Sequence, residues 1–150
     1  MGTLAWQQSC IRISGTKVEM MPINFTNVML VGAGGFLGSA LRFILANWCV
    51  KLSGMAIFPV GTLMVNILGC LIIGFLAGLS EGRQVFNSEI RLLIFVGVLG
   101  GFTTFSAFGL DTVHLIRDGR IAFGISNVLL QIGICLASVW VGLLVGRNIQ

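Results

Sequence analysis

Four long apolar segments, each nearly free of charged side chains, constrain this chain more than any other feature of its sequence. Windows of about 19 residues place them at about residues 27–50, 58–79, 90–116 and 121–146. Each is long enough to cross a bilayer, which takes a helix of about 20 apolar residues. Only 9% of the residues are charged, against about 25% in soluble domains. The sequence predicts an all-α, multi-pass membrane protein with four transmembrane helices.

Other classes of protein fit this pattern poorly. A soluble four-helix bundle requires a polar face on each helix, and none of the four segments has one. The net charge of +4 comes without a run of Lys and Arg, so nucleic acid is not an expected partner. No Ser/His/Asp, Cys/His or HExxH arrangement indicates an enzyme. The four cysteines, Cys10, Cys49, Cys70 and Cys135, match no zinc-binding spacing. Three of them lie in or at the edge of apolar segments and are interpreted as small apolar residues.

The residues before the first segment have a different character. The first twenty mix polar and apolar side chains without a period, and they lack the apolar stretch of a signal peptide. Residues 1–26 are therefore expected to be a poorly ordered N-terminal extension. Residues 27–150 are expected to form one transmembrane domain with short polar links.

Pairs of glycines four residues apart occur in all four segments. Small residues at this spacing allow helix backbones to approach closely in lipid. The chain has 21 glycines, so chance remains an alternative for any single pair. Together they predict a tightly packed bundle; the pairs are Gly34 with Gly38, Gly74 with Gly78, Gly97 with Gly101, and Gly142 with Gly146.

The basic residues give little indication of orientation in the membrane. With four spans both termini lie on one side, which carries Arg12, Lys17, Arg83, Arg91 and Arg147, against Lys51, Arg117 and Arg120 on the other. Without the extension, the two sides carry equal numbers. Because orientation follows an excess of Lys and Arg on one side, the sequence favours insertion both ways. An antiparallel pair with a two-fold axis in the membrane plane then becomes possible.

Four polar side chains at membrane depth are candidates for function, because such groups are costly there. Arg42 either extends to the interface or lines a vestibule that attracts anions. Asn66 offers an interhelical hydrogen bond or a donor to a ligand. Asn127 and Gln131 share one helix face, where they either line the same path or join helices.

The stretch GGFTTFSAF, residues 100–108, predicts a break in the third helix. Gly100 and Gly101 are expected to weaken the helix, and Thr103 and Thr104 to hydrogen-bond the freed backbone groups. A break at this depth is tolerated only where it is buried in protein or lines a cavity. Carbonyls exposed by unwinding can coordinate cations.

The residues after the break suit an anion. Phe105 and Phe108 are three apart on one helical face, and the positive edge of a phenyl ring can point at an anion without a full charge. Thr104 and Ser106 add hydroxyl donors. Phe102 is interpreted as ordinary packing.

Four motifs occur in the order and spacing of a known family: GAGGFLGSALR (32–42), PVGTLMVNILG (59–69), GVLGGFTTFSAF (97–108) and DGR followed by Asn127. They resemble the Fluc, or CrcB, fluoride channels over about residues 28–146. The resemblance implies an antiparallel, dual-topology homodimer of four-helix subunits with a broken third helix. It also implies two fluoride pores, and a central sodium ion held by the carbonyls of Gly100 and Thr103 from each subunit.

The same resemblance implies roles for individual side chains. It makes Asn66, Phe105 and Phe108 pore residues, Thr104 and Ser106 a polar track, and Arg42 a vestibule residue; Asn127 and Gln131 remain candidates for lining the pore. Two positions depart from the family pattern. Ala107 stands where a threonine is usual, and Cys135 stands near the place of a pore serine.

The implied activity is passive fluoride export across the cell inner (plasma) membrane, which lowers cytoplasmic fluoride. A small proton-coupled multidrug exporter is the main alternative, since it also has four spans and dual topology. Such exporters need a membrane-embedded glutamate, and the only charge of the first span is Arg42. A non-transporting membrane assembly protein and a membrane enzyme are more distant alternatives.

Overall fold

The computed structural model describes residues 23–55, 57–81 and 85–149. These residues form six helices and one π-helical run. They are α1 (Phe25–Ser53), α2 (Val60–Ser80), α3 (Ser88–Arg91), the π-helical run (Leu92–Leu99), α4 (Gly100–Phe102), α5 (Phe105–Arg117) and α6 (Ile121–Asn148). The pieces from α3 to α5 make up one span, so four helical segments are long and apolar enough to cross a membrane. The protein is a multi-pass integral membrane protein.

The predicted spans agree with the observed helices to within three residues at each end. Helix α1 begins two residues before the expected start, because the Asn24 side chain accepts the Asn27 N–H and caps it. It ends at Gly54, whose φ of 62° suits glycine at a helix C-terminus. Pro59 directly precedes α2 with non-helical dihedral angles. Residues 1–22 of the predicted extension lie outside the described residues.

Glycine contacts join the first span to the third. A Cβ atom on Gly34 would lie 2.9 Å from the Cα of Gly97, and one on Gly101 would lie 2.6 Å from the carbonyl oxygen of Gly35. These distances are too short for any side chain, so the two backbones touch. The glycine pairs of α1 and of the third span therefore meet each other, as the tight-bundle prediction requires.

Helices α2 and α6 form a second, parallel pair in a constant register. A Cβ atom on Gly78 would lie 3.0 Å from the Cα of Gly146, and one on Gly74 the same distance from the Cα of Val139. Eight residues before Gly74, the Asn66 side chain bonds that of Gln131. The pairs Asn66–Gln131 and Gly74–Val139 are both 65 residues apart. Along this seam each turn of α2 faces one turn of α6, so side chains at matching positions, polar or apolar, lie opposite each other.

An ion pair closes the seam at the ends of the two helices. The Arg147 guanidinium donates two hydrogen bonds to the Glu81 carboxylate, one of them 2.6 Å long. This bonding lowers the pKa of Glu81. The contribution to stability is present above the ordinary pKa of a glutamate and is lost as the pH falls through the lowered value. Both side chains are nearly half exposed, so the effect is small and sensitive to salt.

Substitution of Gly142 by alanine is expected to destabilise the α2–α6 pair, because the added Cβ would lie 2.7 Å from the backbone nitrogen of Phe75. Overpacking of this kind costs about 1–3 kcal/mol. Gly133→Ala on the same helix is the matched control, since a Cβ there meets nothing within 4 Å. Thermal unfolding in detergent should show a lower midpoint for Gly142→Ala alone. Equal midpoints for the two variants would contradict the close packing.

Candidate functional site

The third span is broken at two threonines, not at the glycines that precede them. Thr103 and Thr104 have extended backbones, with ψ angles of 156° and 116°. Gly100 and Gly101 remain helical within α4, which corrects the expectation that they weaken the helix. Gly101 instead allows the backbone contact with Gly35. Gly101 therefore serves packing, and the break depends on hydrogen bonds from other groups.

Asn66 holds the break in place from the neighbouring helix α2. Its Oδ1 accepts the Thr104 N–H at 2.9 Å, and its Nδ2 donates to the Thr104 carbonyl at 3.1 Å. The second hydrogen on Nδ2 goes to Oε1 of Gln131 at 3.0 Å. An amide has only two N–H donors, so both are engaged within the protein. The side chain that the sequence predicts as a pore donor thus clamps the backbone of Thr104.

The hydroxyl groups of both threonines satisfy backbone at the break. Thr103 Oγ1 donates to the Leu99 carbonyl at 2.9 Å, which ends the first half of the span. Thr104 Oγ1 accepts the Ala107 N–H at 3.2 Å and caps α5. It also lies 3.2 Å from the hydroxyl oxygen of Ser106. Thr104 and Ser106 therefore form one short polar track at the start of α5.

These bonds divert two N–H groups from their helical partners. In an unbroken helix Thr104 would donate to the Gly100 carbonyl, and Ala107 to that of Thr103. Here Thr104 donates to Asn66, and Ala107 donates to the Thr104 hydroxyl. Gly100 lies exposed on the surface of the chain and Thr103 is half-buried. The carbonyls of Gly100 and Thr103 thus lose the donors that a continuous helix would provide.

The two phenylalanines after the break contact each other. Their ring centroids are 5.2 Å apart, with an edge of one ring against the other at an interplanar angle of 66°. Phe108 is 8% exposed, whereas Phe105 is 81% exposed. One ring is therefore anchored in the subunit while the other stands on its surface.

An open cavity of about 500 Å³ adjoins the polar track. It lies between α1, the start of α2 and the start of α5, and Arg42 contributes the only charged side chain among its described lining residues. The lining includes hydroxyls and one amide as well as apolar groups: Ser39, Arg42, Phe43, Ala46, Asn47, Thr62, Val65, Thr104, Ser106, Ala107 and Leu110. Arg42 is half-buried and lines the same cavity as Thr104 and Ser106.

Gln131 keeps one buried polar atom free of any protein partner. Its Oε1 accepts from Asn66 and from the Cys135 thiol, the latter at 3.8 Å. This network fixes the orientation of the amide, because Asn66 is itself oriented by the Thr104 N–H. Nε2 of Gln131 is then a buried donor without a bond in the described structure. Such a group is costly unless a small ligand or water accepts from it.

Asn127 lies one helical turn before Gln131 and serves a different contact. Its Nδ2 donates to the Thr112 hydroxyl at 2.9 Å, and Thr112 donates in turn to the Phe108 carbonyl at 2.8 Å. The side chain is fully buried, and its Oδ1 lacks a partner within the described part of the chain. Asn127 thus joins α6 to α5 behind Phe108, away from the open cavity.

A family model confirms what the motifs indicated. The model described as CrcB-like protein, Camphor Resistance (CrcB), matches residues 29–143. The chain belongs to the CrcB family. Similar curated members include proteins named fluoride-specific ion channel FluC from Methylobacillus flagellatus, at 44% identity over 77% of this chain and 90% of the relative. Those from Ruminiclostridium cellulolyticum and Rhizobium meliloti are 42% and 41% identical, over 82% and 81% of this chain and 94% and 96% of theirs.

Two contacts of this CrcB-family site were not predicted from the sequence. Thr112 links Phe108 to Asn127, and Thr62 donates to the Asp111 carboxylate at 2.8 Å. The first had a sequence signal, because Thr112 follows Phe108 by four residues and so faces the same side of α5. The second joins residues 49 apart in the chain, which no local spacing indicates.

Proposed function

We propose that this chain is a fluoride-selective ion channel that lets fluoride leave the cell passively and so lowers its cytoplasmic concentration. The observation that carries the proposal is the set of CrcB-family relatives, named fluoride-specific ion channels, that are 41–44% identical over most of both chains. The chain is then a transport protein and not an enzyme. The multidrug-exporter alternative finds no support in these relatives.

The chemistry around the break suits a small, strongly hydrated anion. A selective pore must replace the water of fluoride with donors, yet bind it weakly enough to release it. The hydroxyls of Thr104 and Ser106 and the free Nε2–H of Gln131 are such donors, and all three are uncharged. Ring edges of Phe105 and Phe108 add weak positive potential. Arg42 raises the anion concentration at the cavity without binding fluoride at mid-depth.

In this proposal Asn66 supports the pore by positioning the break. Direct donation to fluoride would require one of its N–H groups to leave the Thr104 carbonyl or Gln131. Gln131 needs no such exchange, because its Nε2–H has no protein acceptor in the described structure. Gln131 is therefore the amide that we assign to the ion, and Asn66 the one that holds the backbone. Asn127 we assign to supporting Phe108, since it bonds Thr112.

The functional unit that we infer is an antiparallel homodimer with two pores. Phe105 is 81% exposed in the single chain, and Gly100 also lies on the surface. Because Phe108 is buried and Phe105 is exposed, the anion path beside the two rings is open on one side in the single chain. A second copy of the chain would close it. A two-fold contact uses the same face of both copies, which yields two equivalent paths. Outside the N-terminal extension the two sides of the membrane carry equal numbers of basic residues, which supports insertion in both orientations.

The donor set at the break fits a sodium ion at the centre of that dimer. The carbonyls of Gly100 and Thr103 have lost their helical donors, and unwound carbonyls at helix ends are ligands for Na⁺ in membrane proteins. No cluster of three or more His, Cys, Asp or Glu side chains occurs among the described residues, so backbone oxygens are the available ligands. Bound sodium would supply positive charge that joins the two subunits.

Liposomes containing the purified protein test the function directly. Fluoride efflux, followed with a fluoride electrode, should greatly exceed chloride efflux from matched vesicles. Equal rates for the two ions would refute selectivity. Sodium is then replaced by N-methylglucamine during purification and assay, and the proposed sodium site predicts lower flux or loss of dimer.

A cysteine at Gly119, in the turn between α5 and α6, is expected to be labelled in about half of the copies from outside intact cells, because antiparallel dimers contain equal numbers of both orientations. The background carries Cys10→Ala and Cys49→Ala, and the label is a membrane-impermeant maleimide. Lysed cells supply the value for complete labelling. Labelling of all copies or of none in intact cells would show a single orientation.

A further inference from the structure

We propose that Cys70 on α2 and Cys135 on α6 form a thiol pair that closes to a disulfide within one subunit when a membrane-permeant peroxide is present. Formation of this bond does not rest on the proposed fluoride transport, although Cys135 contacts Gln131.

The helix register brings these two thiols together. Cys70 lies one turn before Gly74, where the backbones of α2 and α6 touch, and one turn after Asn66. Its partner at the same register is Cys135, which lies midway between Gln131 and Val139. The pair thus lies between the side-chain bond at Asn66 and the backbone contact at Gly74.

A parallel helix pair in close contact suits a disulfide. The bond requires Cα atoms about 4.4–6.8 Å apart and Cβ atoms that face each other, and a register that pairs the two cysteines one turn from a backbone contact favours this geometry. Both cysteines are free and half-buried. The loss of two neutral thiols and the gain of one neutral disulfide adds no charge to the bilayer interior, where charge is costly.

The reaction balances with hydrogen peroxide as the oxidant. One thiol attacks the peroxide, the O–O bond breaks, and the products are a sulfenic acid and one water molecule. The second thiol attacks the sulfenic sulfur, an S–S bond forms, the S–O bond breaks, and a second water leaves. Because the helix register places the second thiol opposite the first, its effective concentration is high and closure outruns further oxidation.

Disulfide formation would change the surroundings of the break. Cys135 donates its S–H to Oε1 of Gln131 at 3.8 Å, and the disulfide has no such hydrogen. Gln131 then keeps only the bond from Asn66. The bond would also link α2 covalently to α6 one turn from both amides.

Thiol counting and intact mass test the pair. The full chain with Cys10→Ala and Cys49→Ala retains only these two thiols. After hydrogen peroxide, the denatured protein should react with no maleimide, and its mass should fall by that of two hydrogen atoms. Dithiothreitol should restore both thiols. Oxygen addition to each thiol, a reduction-sensitive link between two chains, or two thiols that remain unchanged would each overturn the proposal.

A variant with the same number of thiols in different places provides the control. Cys70→Ser combined with Leu71→Cys moves one thiol about 100° around α2, onto a more exposed face. The same peroxide dose should leave its two thiols unlinked, either maleimide-reactive or carrying added oxygen. Disulfide formation at an equal rate in this variant would show that the register of Cys70 and Cys135 does not matter.

Discussion

Replacement of Phe105 by isoleucine is expected to reduce fluoride efflux from liposomes by about tenfold or more, because a loss of roughly 1.4 kcal/mol at the barrier changes a rate tenfold. Isoleucine keeps an apolar side chain at this exposed position but lacks a ring, so no positive ring edge remains to face the anion. The contact with the Phe108 ring, now 5.2 Å between centroids, also disappears. Initial efflux rates at equal protein density in the vesicles give the measurement.

Two comparisons isolate the role of the ring at position 105. Phe25→Ile is the matched control, since Phe25 is 78% exposed at the start of α1, far in sequence from the break. Its flux should equal that of the wild-type chain. Because Phe105 is 81% exposed, its substitution should also leave the folded single chain intact. An unchanged rate in a well-folded Phe105→Ile protein would remove Phe105 from the pore.

Replacement of Asn66 by leucine is expected to abolish measurable flux and to lower thermal stability. Leucine has a similar volume, but it leaves the Thr104 N–H, the Thr104 carbonyl and Oε1 of Gln131 without the bonds that they now have. Each buried polar group left unsatisfied costs about 1–3 kcal/mol. The extended backbone at Thr104 would then lose the contact that opposes continuous helix. Flux and the unfolding midpoint in detergent are measured on the same preparation.

A second substitution at this position separates geometry from simple loss of fold. Asn66→Asp keeps an oxygen that accepts the Thr104 N–H, but it removes both donors and places a carboxylate beside the Thr104 carbonyl. Its flux should also be strongly reduced, with a smaller change in the unfolding midpoint. Asn87→Leu, which removes only the cap of the short helix α3, should leave flux unchanged. Normal flux in Asn66→Asp would refute the clamp, since an ion path that tolerates this change does not depend on it.

The amide side chains of Asn66 and Gln131 have different proposed roles at the site. Both N–H groups of Asn66 are used inside the protein, whereas the buried Nε2 amino group of Gln131 has no acceptor in the described structure. A fixed backbone and a free donor group together suit an anion that must be dehydrated and then released. Ala107 adds no hydroxyl to the track, and Thr104 and Ser106 lie 3.2 Å apart.

Much of the fold could be predicted from the sequence, because the bilayer restricts the alternatives. An apolar run of sufficient length must form a helix, since every backbone polar group needs a partner in lipid. This rule located four spans to within three residues of their observed ends. The GxxxG pairs likewise predicted close helix contacts, because the absence of a side chain is visible in the sequence. Which glycines face each other was not visible: Gly34 meets Gly97, and Gly78 meets Gly146, across long separations in the chain.

The sequence by itself therefore determined the membrane class, the four spans, the family and the region of the break. Only the tertiary structure decided where the backbone leaves the helix, and why. Gly100 and Gly101, which were expected to cause the break, are helical. Thr104 is instead held in an extended conformation by Asn66, which lies 38 residues earlier in the chain. The tertiary structure also decided the roles proposed for Gln131 and Cys70, because these follow from the register between α2 and α6. Local composition sets what each segment can form, but a hydrogen bond between distant residues depends on how the helices pack.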